Sequence, residues 1–321
     1  LIAKAGSSAD QVTIKAQAET QTGEAIADAA TISISGIRDD QDGDTGNTVN
    51  QLTIGTGGDV QTGANASLES IASSTTGNST AISAASEING IHADEVSAGV
   101  SLNLEGDAES MMVVSAKVVD GITTDTGIAD ASGTIAETKG ISLERLNIGD
   151  QPAAEDDSAN IQGRAASQID VSASSDGADS VGDRANARAI LNDAAGIELG
   201  AAGDEAALNA GGASRLNSQI DLDLASKASS INGDVDALSI VGDGNNGEAD
   251  RGAIGVAFNN DANIGPGGAI NANATVDLDA QSNNIGSYGN ATVTPTAEAD
   301  AGADYVAGIS ATGTNGDIDF A

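Results

Sequence analysis

Cysteine and tryptophan are absent from the 321 residues, which include only two Phe, two Tyr, three Pro and a single His. Without cysteine there is no disulfide, thiolate metal site or thiol nucleophile. The lone imidazole, His92, leaves a zinc site or a catalytic triad without further histidine support. Its place beside Gly90, where the pattern ends a helix, makes it a solvent-exposed loop histidine in this reading. Aromatics at 1% argue against a sugar-processing cleft, since ligand clefts are rich in aromatic side chains. No G-x-S-x-G elbow, phosphate-binding loop or dinucleotide fingerprint occurs, and no enzyme is expected. Bases are scarce too: 12 Lys and Arg face 48 Asp and Glu, a net charge of −36. That balance weighs against nucleic acid and against an anionic membrane surface, both of which select Lys and Arg. No apolar run approaches the ~20 residues of a transmembrane helix, so no membrane insertion is expected.

The chain is instead rich in Gly, Ala, Ser, Thr and Asp. Val, Ile, Leu and Phe make up about a fifth of it, near the level at which charged chains default to disorder. Strict alternation of apolar and polar residues answers that concern. Val12, Ile14, Ala16 and Ala18 form one such strand, and Ile32 and Ile34 point inward on a second. Gln51 to Gly55, Val96 to Leu104 and Ile169 to Ala173 continue the pattern. Further on, Ile220 to Leu224, Ile254 to Phe258, Ala274 to Ala280 and Tyr305 to Ala311 repeat it. Met111 to Val119 is apolar enough to suggest a strand covered on both faces. Gly121 to Gly140 reads as a loop or joint, and Gly/Asn/Asp clusters at 242–247 and 259–268 as hairpin turns.

Three segments carry helical spacing. Ser67 to Ile71 reads as a capped turn. Ala81, Ala84, Ala85 and Ile88 recur at i, i+3, i+4 and i+7, closed by Gly90. Ala187, Ile190, Leu191 and Ala194 do the same between Asp183 and Gly196. The expected fold is therefore mainly β with a few short helices (α+β), in several small β-rich modules with antiparallel sheets. The expected divisions are a β-rich segment at 1–50, a strand-helix-strand module at 51–150, a weaker copy at 151–215 and a β-rich acidic module at 216–321. Residues 151–157, where Pro152 meets a charge run, read as a linker.

One metal site is a candidate. Asp40, Asp42 and Asp44 alternate around Gly43 and offer the hard oxygens that Ca²⁺ takes. The spacing departs from an EF-hand, because Thr45 stands at the glycine position and Gln51 at the bidentate glutamate position. A solvated turn explains the same residues. No other cofactor is expected.

The unit built on Ile88-Asn89, followed by Val96-Ser97-Ala98-Gly99-Val100, resembles the flagellin IN motif of bacterial flagellin outer regions. There an Ala-rich helix closes on an Ile-Asn pair before a strand; Ile190-Leu191-Asn192 marks a looser copy. The resemblance implies a structural role in the bacterial flagellum, supporting motility, outside the cell. The partners it implies are other copies of the chain in a filament, with surface glycans as decoration. Nothing resembles the helical ends that build a flagellin core, and the opening on Leu1 suggests a piece of something longer. The alternatives are a calcium-dependent adhesin or surface-layer module, and a hook-junction or filament-cap protein.

Overall fold

The computed structural model describes residues 2–5, 12–38, 51–54, 57–119, 127–149, 157–176, 183–200, 206–212, 214–231, 233–242, 252–284, 297–303, 305–311 and 318–320. They form nineteen strands. The first are β1 (Ile2–Ala5), β2 (Val12–Thr22), β3 (Ala25–Arg38) and β4 (Gln51–Ile54). The long central strands are β5 (Gly57–Thr76), β6 (Ser79–Ala98), β7 (Ser101–Val118), β8 (Ile128–Ile148), β9 (Ser158–Ser175) and β10 (Arg184–Leu199). Then come β11 (Leu208–Ala210), β12 (Arg215–Ser230), β13 (Asp234–Val241), β14 (Ala253–Phe258), β15 (Ala262–Ile264) and β16 (Ala269–Asn284). The chain closes with β17 (Ala297–Ala303), β18 (Val306–Ala311) and β19 (Ile318–Phe320).

Every pairing among them is parallel. One sheet runs β1 and β2, then β5, β7, β9, β12 and β16; the other runs β3 and β4, then β6, β8, β10 and β11, β13 to β15, and β17 to β19. Successive long strands lie in opposite sheets, so the chain winds as a two-faced parallel β-solenoid of six rows. Val12 pairs with Ala66, Gly57 with Ser101, Ser101 with Ser158, and Arg215 with Ala269, so these turns take 54, 44, 57 and 54 residues. At ~3.3 Å per residue the 20-residue strands β5 and β6 each span about 65 Å, while each turn advances the stack only ~4.8 Å. The result is a broad slab.

The architecture corrects the α+β, antiparallel expectation. No helix occurs among the described residues. Ser67–Ile71 lies in β5, Ala81–Ile88 in β6 and Ala187–Ala194 in β10. Of the expected hairpin turns, 243–247 lies outside the described residues, while 259–268 holds the short strand β15 before the chain crosses to β16 in the other sheet. The apolar run of β7 is one-sided: Met112, Val114 and Val118 are buried while Met111 and Val113 face solvent. Ile128–Ile148, half of it assigned to a loop, is the longest strand.

The first sheet keeps period two without a break. Its inward columns are uniform, as in Ile14, Leu68, Met112, Ile169 and Leu224, or Ala18, Ala72, Ala116, Ala173 and Ala228. The second sheet faces it with small residues, including the column Ala27, Ala81, Ala131, Ala187 and Ala237. Serines bridge the interior, with Ser83 Oγ donating to Ser70 Oγ at 2.9 Å and Ser239 Oγ to Ser226 Oγ at 2.9 Å.

Midway along the strands the sheets touch backbone to backbone. Register aligns Gly36, Gly90, Gly140, Gly196, Gly255 and Gly308 in the second sheet. Opposite them the first sheet places Thr62, Gly106, Gly163, Ser218 and Ala272. A Cβ on Gly90 would lie 2.5 Å from the Asp107 nitrogen, and one on Gly140 2.8 Å from the Arg164 oxygen. Thr62 Oγ1 donates to the Gly90 carbonyl at 2.5 Å, and Ser218 Oγ donates to that of Gly255. This waist splits the interior into two apolar clusters, one around Leu68, Ile88 and Ile169, the other around Leu104, Ile141 and Phe258.

Gly140→Ala therefore forces the sheets apart and is expected to cost about 3 kcal/mol or more in urea unfolding. Gly63→Ala, whose new methyl group would meet nothing nearer than 3.7 Å, is expected to change stability by less than about 0.5 kcal/mol.

Candidate functional site

The second sheet bends where the first runs straight. In β6 the buried side switches phase between Ala85 and Ile88, and again between Ala93 and Val96. Ser86 with its neighbours Ala136 and Asn192, and later Asp94 with Glu144, drop out of the ladder at matching levels. Register is unchanged on either side of these breaks, so every strand turns at the same level and the side chains that follow are re-aimed together. Between the breaks the outer face of the bend carries the polar seam of this chain. Its columns are Ser33, Glu87, Glu137 and Asp193; Ser35, Asn89, Lys139 and Ala195; then His92, Ser142 and Glu198.

Lys139 sits at the centre with its side chain 8% exposed. Its ammonium lies 2.9 Å from Glu137, 3.1 Å from Asp193 and 2.5 Å from Glu198. Burial on its own would lower the lysine's pKa, but Glu198, Asp193 and Glu137 together raise it above the ordinary value. Asp193 also moves up, to about 6, because burial and the two glutamates outweigh the single ammonium it shares. Both partners shift upward because one cation serves three anions. Asn89, fully buried, leaves both its amide atoms without a partner, and the buried Ser35 hydroxyl and His92 Nδ1 are in the same state. His92 thus lies within β6, not in a loop.

The outer face of the first sheet carries polar ladders. Asn103 donates to Asp59 at 2.8 Å and Asn160 to Asn103 at 2.7 Å; further along, Asn271 donates to Asn217 at 2.9 Å. A shallow groove of about 340 Å³ runs over the waist, lined by Glu105, Gln162, Arg164, Asn217 and Asn271 among others. Beside it, burial and then Asp170, Asp277 and Asp279 raise the Asp223 carboxyl. These side chains can accept and donate hydrogen bonds, but no nucleophile–base pair is assembled among them.

Asp40, Asp42 and Asp44 lie outside the described residues, as does the linker at 151–156. Among the described residues no group of three or more acidic or histidine side chains is placed to hold a metal, and no helix is long and apolar enough to cross a membrane. The Lys139 cluster escaped the sequence reading. Its signal was a lysine in Thr138-Lys139-Gly140-Ile141, aligned with Ile88-Asn89-Gly90-Ile91 and Ala194-Ala195-Gly196-Ile197. No protein-family model, curated protein or solved structure matches the chain. Nothing in these comparisons identifies a flagellin, and the segment that carried that resemblance is a strand.

Two measurements follow. Lys139→Met strands three carboxylates and is expected to lower stability by about 3 kcal/mol. Asp193 binds its proton more tightly folded than unfolded, so its contribution is full below its unfolded value of 3.8 and is lost as pH rises through about 6. Between pH 4 and 7 the native chain is expected to lose about 2 kcal/mol more than Asp193→Asn, read by urea unfolding.

Proposed function

We propose that this chain is a structural module of a bacterial surface protein, of the adhesin or surface-layer kind. It acts as a stiff, acidic slab that sets spacing and presents broad faces. The observation that supports this most is the in-register stack of long parallel strands joined at the glycine waist. The turns run from 44 to 62 residues, as uneven as the motif copies, but the paired strands themselves keep one register. The net charge of −36 keeps such faces soluble and mutually repelling in salty medium. Asparagine ladders along the outer face lock the register, as they do in stacked cross-β assemblies. The flagellin outer region is a narrower form of the same proposal, with the slab projecting from a polymer of identical subunits.

An antibody against the purified chain, applied to intact cells of the producing strain, tests the reading. Labelling before lysis, and loss of the epitope when intact cells are treated with protease, is the expected result. Signal that appears only after lysis overturns it.

A further inference from the structure

At one rung of the seam the chain supplies its own cation, and at the adjoining rung it does not. Lys139 extends its ammonium among Glu137, Asp193 and Glu198. One strand earlier, register replaces Lys139 by Asn89, Glu137 by Glu87, Asp193 by Glu137, and Glu198 by Ser142. The neighbouring carboxylates thus recur, while the residue between them is neutral and shorter. Asn89 is 0% exposed, and neither its Oδ1 nor its Nδ2 meets a protein partner. Being directly paired with Lys139, it points the same way, into the seam. On its other side it pairs with Ser35, whose hydroxyl is likewise buried and unpartnered.

From this juxtaposition we infer that a hard metal cation of the calcium class binds between β3, β6 and β8, taking the place that the lysine ammonium takes one rung on. The ligands are the Asn89 amide oxygen, the Ser35 hydroxyl and the carboxylates of Glu87 and Glu137, with water completing the six to eight oxygens that Ca²⁺ accepts. Neutral carbonyl and hydroxyl oxygens beside two carboxylates suit that ion better than a transition metal, which prefers imidazole or thiolate. Glu137 bridges the two rungs, since it also pairs with Lys139 at 2.9 Å. The site is distinct from the Asp40–Asp44 loop and does not depend on the surface role.

Thermal unfolding of the full chain at neutral pH and fixed ionic strength, with CaCl₂ exchanged for NaCl, tests it. A ligand that binds only the folded state at about a hundred-fold its Kd is expected to raise Tm by about 5 °C in a chain of this size. Asn89→Lys supplies the cation covalently: its Tm without calcium is expected above that of the native chain, and its calcium response to fall below half. Ser35→Ala, which removes a ligand without adding charge, is expected to halve the response as well, and it stands in if Asn89→Lys fails to fold. No calcium response in the native chain overturns the inference. So does a response that the folded variants keep in full, which would place the ion elsewhere.

Discussion

The closeness of the two sheets at their midpoint governs the rest of the molecule. Packed sheets ordinarily stand ~10 Å apart, a gap filled by side chains. This chain has few large side chains to fill it, so it closes the gap with backbone. Gly36, Gly90, Gly140, Gly196 and Gly255 form a column in which no side chain fits, and it ends at Gly308, where a Cβ would meet nothing nearer than 3.5 Å. On either side the sheets part just far enough for alanine to face leucine, isoleucine or methionine. Gly133 shows the limit, because a Cβ there would crowd Ile169, Met112 and Val171 at 2.9 to 3.1 Å. A thin interior is thus converted into two tight ones sharing a seam of main chain. Dispersion and apolar burial can then act on small residues at full density.

Pinching one sheet against the other also explains the polar seam. To come inward at the waist and leave again, the second sheet must bend, and it does so at ladder breaks that match in β6, β8 and β10. Bends bring outer-face residues together that a flat sheet would hold apart. Lys139, Glu137, Asp193 and Glu198 meet there, with the lysine buried, Asp193 and Glu198 half-buried and Glu137 at the exposed rim. The first sheet stays straight, and its outer face keeps ordinary exposed ladders of Asn, Asp and Ser, such as the Lys15–Glu69 pair at 2.5 Å. Exposed pairs of that kind add little stability.

The ladder breaks account for what the sequence did and did not disclose. Where the strands are regular, as in Ile14, Ala16 and Ala18 or Ile220, Leu222 and Leu224, alternation located them correctly. Where the ladder breaks, Ala81 and Ile88 are both buried although seven apart, a separation that period two forbids and a helix permits. Strands with such breaks therefore looked helical in β6 and β10, and Ala and Ser supplied no β-branching to contradict it. Parallel pairing was hidden for another reason, since partners lie 44 to 62 residues apart, beyond any window of local pattern. The one long-range signal was the recurrence of Gly-Ile or Gly-Val at Gly36, Gly90, Gly140, Gly196, Gly255 and Gly308. The Lys139 cluster was legible only through that alignment, because lysine and its acids come from separate turns.

The ratio of strand length to rise gives the slab unequal strength by direction. Drawn apart along the stacking axis, neighbouring turns separate by opening one hydrogen bond after another, like a zip. Drawn along the strands, rows such as β5 and β7 must shear a ladder of eighteen paired positions together. A protein built this way resists tension across its width far better than along its stack, and the direction in which it is anchored decides whether it behaves as a brace or as a tear strip.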